Sequence, residues 1–311
     1  MRVLLLVNPF SSSVTARTRV VIRKAMAGDH DVELAETSRR GHATRLARNA
    51  AAEGVDVVIC LGGDGTVNET ANGLAGTSTA LGVLPGGSTN VFARTIGLPN
   101  DPIEATADLL DAMEARSIRR VGLGVVNGRY YCFHVGVGYD AALVEQVERR
   151  SGLKRWAGHP LFMYAGLTTW LKHYDTKHPH FTVGFDDGDE VTDGYFTIAA
   201  NTNPYTFVGN RPFDVAPGAG LDNGLTVVTV RSMRIDRMLR VVAKALRADG
   251  SLASDPVVHS RSDVDHVVIE AIGGRPFPYQ VDGDFIGEVD RLEFRHEPEA
   301  MDLLLPLGYT G

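Results

Sequence analysis

The chain has 311 residues, of which 44% are hydrophobic and 22% charged, and it carries a formal net charge of −7. Its length exceeds the roughly 250–300 residues at which a single core stops growing, so we expect a soluble globular protein of two domains. The acidic balance argues against a general nucleic-acid binder, which needs a basic surface.

No apolar run approaches the ~20 residues that a membrane span needs. The first apolar run, Val3 to Val7, is also too short for the core of a signal peptide. The two cysteines, Cys60 and Cys132, stand in apolar strand-like runs without disulfide or metal-ligand spacing. We therefore expect a protein of the reducing cytoplasm.

Residues 1–121 alternate between continuous apolar runs and helical segments. This alternation predicts a parallel sheet that helices cover on both faces. The predicted strands are 2–7, 31–37, 55–61 and 80–85, and the predicted helices are 14–27, 42–54, a segment that ends near Leu74 and one that begins after the N-cap Asp101.

From about residue 121 onward, short strand-like runs are separated by glycine and aspartate turns such as Asn127-Gly128. This pattern predicts an antiparallel β-sandwich, which predicted helices at 160–174 and 235–248 interrupt. The tail "MDLLLPLG" predicts one more strand. The predicted domains are an α/β domain at 1–121, with the tail 300–311 as a candidate addition to it, and a β-sandwich domain at 122–299.

Three polar turns follow the first, third and fourth predicted strands: "NPFSSS", "GGDGTVNE" and "PGGSTN". The carboxyl ends of parallel strands lie at the ligand-binding edge of such a sheet, so we expect the turns to converge there. Backbone N–H groups, hydroxyls and helix N-termini together favour phosphate binding, and the alternative is that the glycines serve turn geometry alone. No Walker A motif is present, and "GVGYDA" (136–141) lies outside any strand–helix–strand unit, which argues against a dinucleotide site there.

Four aspartates are candidates for phosphoryl-transfer chemistry, which needs a divalent cation and a group that accepts the proton of the attacking hydroxyl. Asp64, in the second glycine turn, would bind Mg²⁺ or face the nucleophile, or else would cap the following helix. Asp282 and Asp284 flank a glycine in "QVDGDFIG", where a D-G pair is also typical of a hairpin turn. Asp140 follows "GVG" and is the fourth candidate.

Taken in order, these motifs resemble the diacylglycerol kinase catalytic-domain family, bacterial lipid kinases related to sphingosine and ceramide kinases. "VNPFSSS" resembles the family's first nucleotide motif, and "ETSRRGHA" its threonine-then-glycine segment. "GGDGTVNE" matches its signature, and "PGGSTNVFARTIGLP", "GVGYDA" and "VDGD" resemble the motifs that follow. NAD kinases and phosphofructokinases share GGDGT alone, so the combination carries the resemblance.

The resemblance implies an α/β nucleotide-binding domain and a β-sandwich with ATP and Mg²⁺ in the cleft between them. The lipid hydroxyl would approach from the sandwich side. Asp282 or Asp284 would be the catalytic base, Asp64 would organise phosphates and metal, and Asp140 would orient the substrate or join the metal network. The implied ATP contacts are Asn8, Pro9, Ser11, Ser12, Thr37, Gly62, Gly63, Asp64, Gly65, Thr66, Asn68, Glu69, Gly87, Ser88, Thr89 and Asn90.

Three positions depart from the family pattern. The first motif has Ser12 or Ser13 where a glycine is usual. The usual D-G-E reads D-G-D here, and the shorter Asp284 would shift its carboxylate by about 1.5 Å. Some members carry a structural Mg²⁺ beside a D-D-G segment. The corresponding donors here would come from Gly220, Asn223 and Leu225, and the Asn223 amide is a weaker Mg²⁺ ligand than a carboxylate.

Residues 149–180 interleave basic and aromatic side chains and contain a single acid, Asp175. This segment is a candidate contact with anionic lipid, where each basic residue contributes about 1 kcal/mol, or else a solvated helix. We expect a cytoplasmic protein that associates peripherally with the inner face of the membrane, binds a lipid substrate and no nucleic acid, and forms a symmetric dimer if it oligomerises. The alternative functions are a soluble small-molecule kinase of the NAD kinase type and a catalytically silent lipid- or nucleotide-binding homologue.

Overall fold

The computed structural model describes residues 1–149, 174–247 and 252–309. The chain divides into two compact units. The first unit comprises 1–123, 129–132 and 297–311, and the second comprises 124–128 and 133–296. No helix in the described ranges is both long and apolar enough to cross a membrane.

The first unit is built on a parallel sheet in the order β2-β1-β3-β4. Every residue of β3 and β4 is buried, which is why their sequences are continuously apolar. The strands are β1 (Arg2–Val7), β2 (Asp31–Glu36), β3 (Val57–Gly62) and β4 (Ala80–Pro85), and the helices are α1 (Ala16–Met26), α2 (His42–Ala52), α3 (Asp64–Leu74), α4 (Val91–Thr95) and α5 (Pro102–Glu114).

Local signals set the helix boundaries. The Thr15 side chain accepts a hydrogen bond from the Thr18 N–H at the start of α1, and Asp101 accepts from two backbone N–H groups at the start of α5, as its sequence position predicts. Gly73 lets α3 pack closely on α2, because a β-carbon there would lie 2.5 Å from the Thr44 carbonyl oxygen. This contact holds α2 against the helix that follows the second glycine turn.

The second unit contains two antiparallel sheets, which confirms the predicted sandwich. One sheet has the order β14-β13-β10-β7-β16-β17, and the other contains β18, β15, β8 and β9 in that order. The strands are β5 (Ile118–Val126), β6 (Arg129–Tyr131), β7 (His134–Gly138), β8 (Phe181–Phe185), β9 (Glu190–Gly194), β10 (Phe196–Ala200), β11 (Thr206–Val208), β12 (Arg211–Phe213), β13 (Leu225–Val230), β14 (Val258–Val264), β15 (His266–Ala271), β16 (Phe277–Val281), β17 (Asp284–Val289) and β18 (Arg291–Leu304), of which β5, β6 and β18 lie wholly or partly in the first unit.

Helices α6 (Tyr139–Glu148) and α7 (Ile235–Arg247) complete the described part of the second unit. The predicted helix at 160–174 lies outside the described residues except for Tyr174. The tail forms a strand, as predicted, but β18 begins much earlier than the tail and runs without interruption past Pro298. Its final part pairs in parallel with β4, where Leu303 lies opposite Leu81, and so extends the sheet of the first unit.

Candidate active site

Hydrogen bonds join the three polar turns of the first unit at the carboxyl edge of the parallel sheet. The Asn8 side-chain amide donates to the Thr66 hydroxyl (2.9 Å), which ties the turn after β1 to the start of α3. The Ser13 N–H donates to the Gly86 carbonyl (2.8 Å), and the Gly86 N–H donates to the Gly62 carbonyl (2.8 Å). The structure therefore brings together the loops that the sequence predicts to converge.

The glycines of the second and third turns allow two backbones to touch. A β-carbon at Gly86 would lie 2.8 Å from the Gly62 Cα, and one at Gly87 would lie 2.8 Å from the Gly63 Cα. These glycines therefore allow one loop to pack on the other, which agrees with the alternative interpretation that they are needed for turn geometry. That packing also leaves a surface of main chain without side chains, which is the surface that phosphate groups need.

Asp64 connects the same two loops. It stands in the first turn of α3, but its carboxylate accepts hydrogen bonds from the Val91 N–H (3.0 Å) and the Phe92 N–H (3.1 Å). Asp64 therefore caps α4, whereas the sequence suggested the following helix, α3, as the alternative role. These two amide contacts hold the Asp64 carboxylate at the junction of the second and third turns.

Asn90 closes the third turn on itself. Its side chain accepts from the Gly87 N–H (2.7 Å) and donates to the Gly87 carbonyl (2.9 Å) and to Asn100 (2.8 Å). Ser88 lies exposed at the tip of this turn and Thr89 is partly buried beside it. Within the described ranges, the hydroxyls of Ser88 and Thr89 make no hydrogen bond to protein, so both remain open to a ligand.

Glu69 and Asn68 hold neighbouring segments in place. The Glu69 carboxylate accepts from the Gly41 N–H (2.7 Å) and the Ala43 N–H (3.1 Å), which caps α2 and fixes the loop after Thr37. Asn68 is buried and donates to the Tyr130 carbonyl (3.0 Å). Both of these predicted ATP contacts therefore support backbone segments of the first unit, and no sequence pattern indicated these roles.

The remaining predicted ATP contacts surround the first turn. Asn8 and Pro9 are partly buried, and the Ser11 N–H donates to the Asn8 carbonyl (3.2 Å). Ser12 is exposed, whereas Thr37 is buried and its N–H donates to the Val7 carbonyl (2.9 Å). Their contact with ATP stays a prediction.

In the second unit, Asp282 and Gly283 form a two-residue hairpin turn between β16 and β17. Both have positive φ angles, 47° and 80°, which are typical of the type I′ turn that a D-G pair favours. The Asp282 carboxylate is buried and accepts from the Phe133 N–H (3.0 Å) and the His134 N–H (3.1 Å). Asp284 is the first residue of β17 and is only partly buried, so the two aspartates have different environments.

Asp140 lies in a buried network with the same hairpin. Its carboxylate accepts from the Tyr205 hydroxyl (2.5 Å) and from the Gln280 amide (2.8 Å). Burial raises the pKa of Asp140, and the two hydrogen bonds oppose that rise. The Gln280 side-chain oxygen accepts from the Gly283 N–H (2.8 Å), so this residue links Asp140 to the turn that precedes Asp284.

Two further features of this network were not evident from the sequence. Gly136 in "GVGYDA" leaves space for the carboxylate of Asp140, because a β-carbon there would lie 1.6 Å from an Asp140 oxygen. His134 packs against Tyr205 with the rings tilted by 33° and their centroids 4.3 Å apart, and burial lowers the pKa of His134 to about 3. The His134 ring is therefore neutral at physiological pH.

The structure gives the predicted metal sites little additional support. Within the described ranges, no group of three or more His, Cys, Asp or Glu side chains could hold a metal ion. At the predicted structural site, the Gly220 carbonyl accepts from the Asn223 N–H (3.1 Å), and the donors from Gly220, Asn223 and Leu225 include no carboxylate. Such a set of donors fits Mg²⁺ poorly.

The fold of the first unit and its three polar turns indicate a class of protein. Glycine turns and helix N-termini that converge at the carboxyl edge of a parallel sheet are typical of proteins that bind phosphate groups. Residues 2–126 match the family model for the diacylglycerol kinase catalytic domain. Residues 134–305 match the model for the YegS C-terminal NAD kinase beta sandwich-like domain.

Curated relatives of similar sequence carry names that agree with the two family models. "Diacylglycerol kinase" of Bacillus subtilis is 29% identical over 232 residues, which are 74% of this chain and 73% of that protein. "Probable lipid kinase YegS-like" of Chromohalobacter salexigens is 32% identical over 225 residues, which are 71% of this chain and 68% of that protein. The chain therefore belongs to the family of diacylglycerol kinase and YegS-like lipid kinases.

The fold is also that of a solved family structure. The crystal structure of a diacylglycerol kinase from Bacillus anthracis matches with a TM-score of 0.71 at 19% sequence identity. The match covers 99% of this chain and 98% of that one.

Proposed function

We propose that the protein transfers the γ-phosphoryl group of ATP to a hydroxyl of diacylglycerol or a similar lipid, with Mg²⁺ as the metal cofactor. The observation that carries the proposal is the joining of the three polar loops, in a chain whose relatives are named diacylglycerol kinase and lipid kinase. The lipid acceptor implies peripheral association with the inner face of the membrane.

The loops of the first unit supply the phosphate site in this proposal. The main chain around Gly62 and Gly63 would offer N–H groups to the phosphate oxygens, and the hydroxyls of Ser88 and Thr89 would add side-chain donors. Bound Mg²⁺ would neutralise charge on the phosphates, and Asp64, at the junction of the two loops, is the residue placed to organise it. Positioning and electrostatic stabilisation are the main contributions that a protein makes to phosphoryl transfer.

The catalytic base in this proposal is Asp284. The Asp282 carboxylate is buried and already accepts two backbone hydrogen bonds, which commits it to the structure of the hairpin. Asp284, on the other side of the turn, is more accessible. As the acceptor oxygen bonds to the γ-phosphorus, its proton passes to the Asp284 carboxylate, the bond from the γ-phosphorus to the bridging oxygen breaks and ADP leaves.

Asp140 and Gln280 act as positioning residues in this proposal. Asp140 orients the Gln280 side chain, which accepts from the Gly283 N–H and so positions the turn that precedes Asp284. Because the network is buried and polar, a single lost partner leaves other groups unsatisfied.

The test is an acceptor panel with labelled ATP and Mg²⁺. Diacylglycerol, a monoacylglycerol, sphingosine, ceramide and NAD are each supplied, with lipids in mixed micelles. The proposal predicts labelled product with a lipid acceptor. Product from NAD alone would support the soluble-kinase alternative, to which the description of the matched sandwich domain lends weight. No product from any acceptor would support a silent homologue.

A further inference from the structure

Helix α7 exposes a line of large aliphatic side chains. Ile235, Leu239, Val242 and Leu246 are 58%, 67%, 40% and 43% exposed. Their spacing of four, three and four residues places them on one side of the helix, the arrangement that usually faces a protein core. We call these four residues the α7 stripe.

Other residues of α7 anchor the helix in the second unit. Val241 and Ala245 are buried in a core cluster that includes Ile198 and Val228. The buried Asp255 carboxylate pairs with Arg240 (2.8 Å) and with Lys244 (3.0 Å). The helix therefore buries Val241 and Ala245 in the core, while the four side chains of the α7 stripe are exposed.

The charge of α7 indicates what covers the stripe. The helix carries four cationic residues and one anionic residue, and two of the cations, Arg240 and Lys244, pair with Asp255. With Asp255 counted, the local balance is +2, whereas the whole chain carries −7. A helix that combines an exposed apolar line with cationic side chains is typical of one that lies in the interface of an anionic bilayer. A second copy of the chain would bring two cationic helices together, which is electrostatically unfavourable. The cationic residues are Arg237, Arg240, Lys244 and Arg247.

We propose that α7 is a membrane-docking surface, whose stripe inserts at the boundary between headgroups and acyl chains of an anionic bilayer. This inference deepens the proposed function, since a kinase whose acceptor resides in a bilayer must reach its surface. It assigns docking to a segment other than the predicted one at 149–180, which lies mostly outside the described residues.

The test measures co-sedimentation of the full chain with vesicles of phosphatidylglycerol and phosphatidylcholine, in the absence of ATP and of any acceptor lipid. The variant L239E/L246E places two charges in the α7 stripe. The matched control I103E/L307E places two charges at exposed aliphatic positions of the first unit, 44% and 61% exposed. The apparent vesicle affinity of L239E/L246E should fall at least about 10-fold, and that of the control should stay within about 2-fold of wild type.

Two further measurements complete the test. Far-UV circular dichroism checks that both variants fold, and sedimentation velocity gives their masses. Equal vesicle binding by wild type and L239E/L246E would overturn the proposal, as would equal losses in both variants. A wild-type dimer that L239E/L246E converts to a monomer would also overturn it, because the stripe would then be covered by a second copy.

The docking inference and the proposed function fail separately. Phosphorylation of a short-chain diacylglycerol in detergent micelles should be retained by L239E/L246E, since no bilayer is involved. If wild type binds vesicles through α7 but phosphorylates no lipid, the proposed function fails and the docking surface stands.

Discussion

Replacement of Gln280 by leucine tests the buried network most sharply. The glutamine side chain is wholly buried and makes one hydrogen bond to Asp140 and one to the Gly283 N–H, both 2.8 Å long. Leucine has a similar volume, so the change removes the hydrogen bonds and leaves little cavity. Loss of the donor to the buried Asp140 carboxyl costs about 1.5–3 kcal/mol, whereas the exposed Gly283 amide can turn to water at a cost of about 0.5–1 kcal/mol. The free energy of unfolding should therefore fall by about 2–4 kcal/mol.

Urea denaturation at pH 7 measures this loss, and Glu288→Leu, an exposed change on β17, is the matched control with an effect within about 0.5 kcal/mol. If the proposed function holds, Gln280→Leu should also lower kcat for lipid phosphorylation and leave KM for ATP unchanged, because the loosened turn precedes Asp284. A Gln280→Leu protein with wild-type stability and wild-type kcat would refute the account of the network.

Three further predictions concern other parts of the site. Gly86→Ala should destabilise the protein by about 1–3 kcal/mol in urea denaturation, because the new β-carbon meets the backbone of the neighbouring loop at 2.8 Å, whereas Gly28→Ala, with its nearest contact at 3.5 Å, should be neutral. Asp64→Asn keeps one oxygen to cap α4, so it should cost only about 1 kcal/mol in the same assay but abolish lipid phosphorylation; full activity would contradict its role. Burial lowers the pKa of His134 to about 3. Below pH 6.5 the unfolded chain therefore takes up a proton that the folded chain does not, and the free energy of unfolding falls as the pH is lowered. From pH 6.5 to 5 this residue should account for about 1.5–2 kcal/mol of lost stability, and a His134→Phe protein with the same pH dependence as wild type would show the assignment to be wrong.

The first unit could be predicted well because its signals are local. Continuously apolar strands and the turns that follow them are visible in short windows of sequence, and parallel strands bring their carboxyl ends to one edge. The caps that Asp64 and Glu69 provide could not be predicted, since their partners are distant in sequence. Asp64 caps a helix 27 residues onward, and Glu69 caps one that begins about 28 residues earlier. A motif shows which residues are present but not which amide each one accepts from.

In the second unit, too, the hydrogen-bond partners of the candidate site residues could not be predicted from the sequence. The D-G turn was evident, but the hydrogen bond from Gln280 to Asp140 joins residues 140 positions apart. No pattern in the sequence marked Tyr205 as a second partner of Asp140. The tail was predicted as one more strand, whereas it is the end of β18, which begins at Arg291. The exposed α7 stripe was likewise predicted only as part of a helix, because periodicity does not tell which apolar positions a core will cover.

The central claim is that this chain phosphorylates a lipid hydroxyl with Asp284 as the base. The most direct measurement is transfer of labelled γ-phosphate from ATP to diacylglycerol in mixed micelles by wild type, Asp284→Asn and Asp284→Glu. We predict activity for wild type, a loss of at least about 100-fold for Asp284→Asn with unchanged folding, and substantial activity for Asp284→Glu, which restores the family's D-G-E. Activity of Asp284→Asn equal to that of wild type would contradict the account.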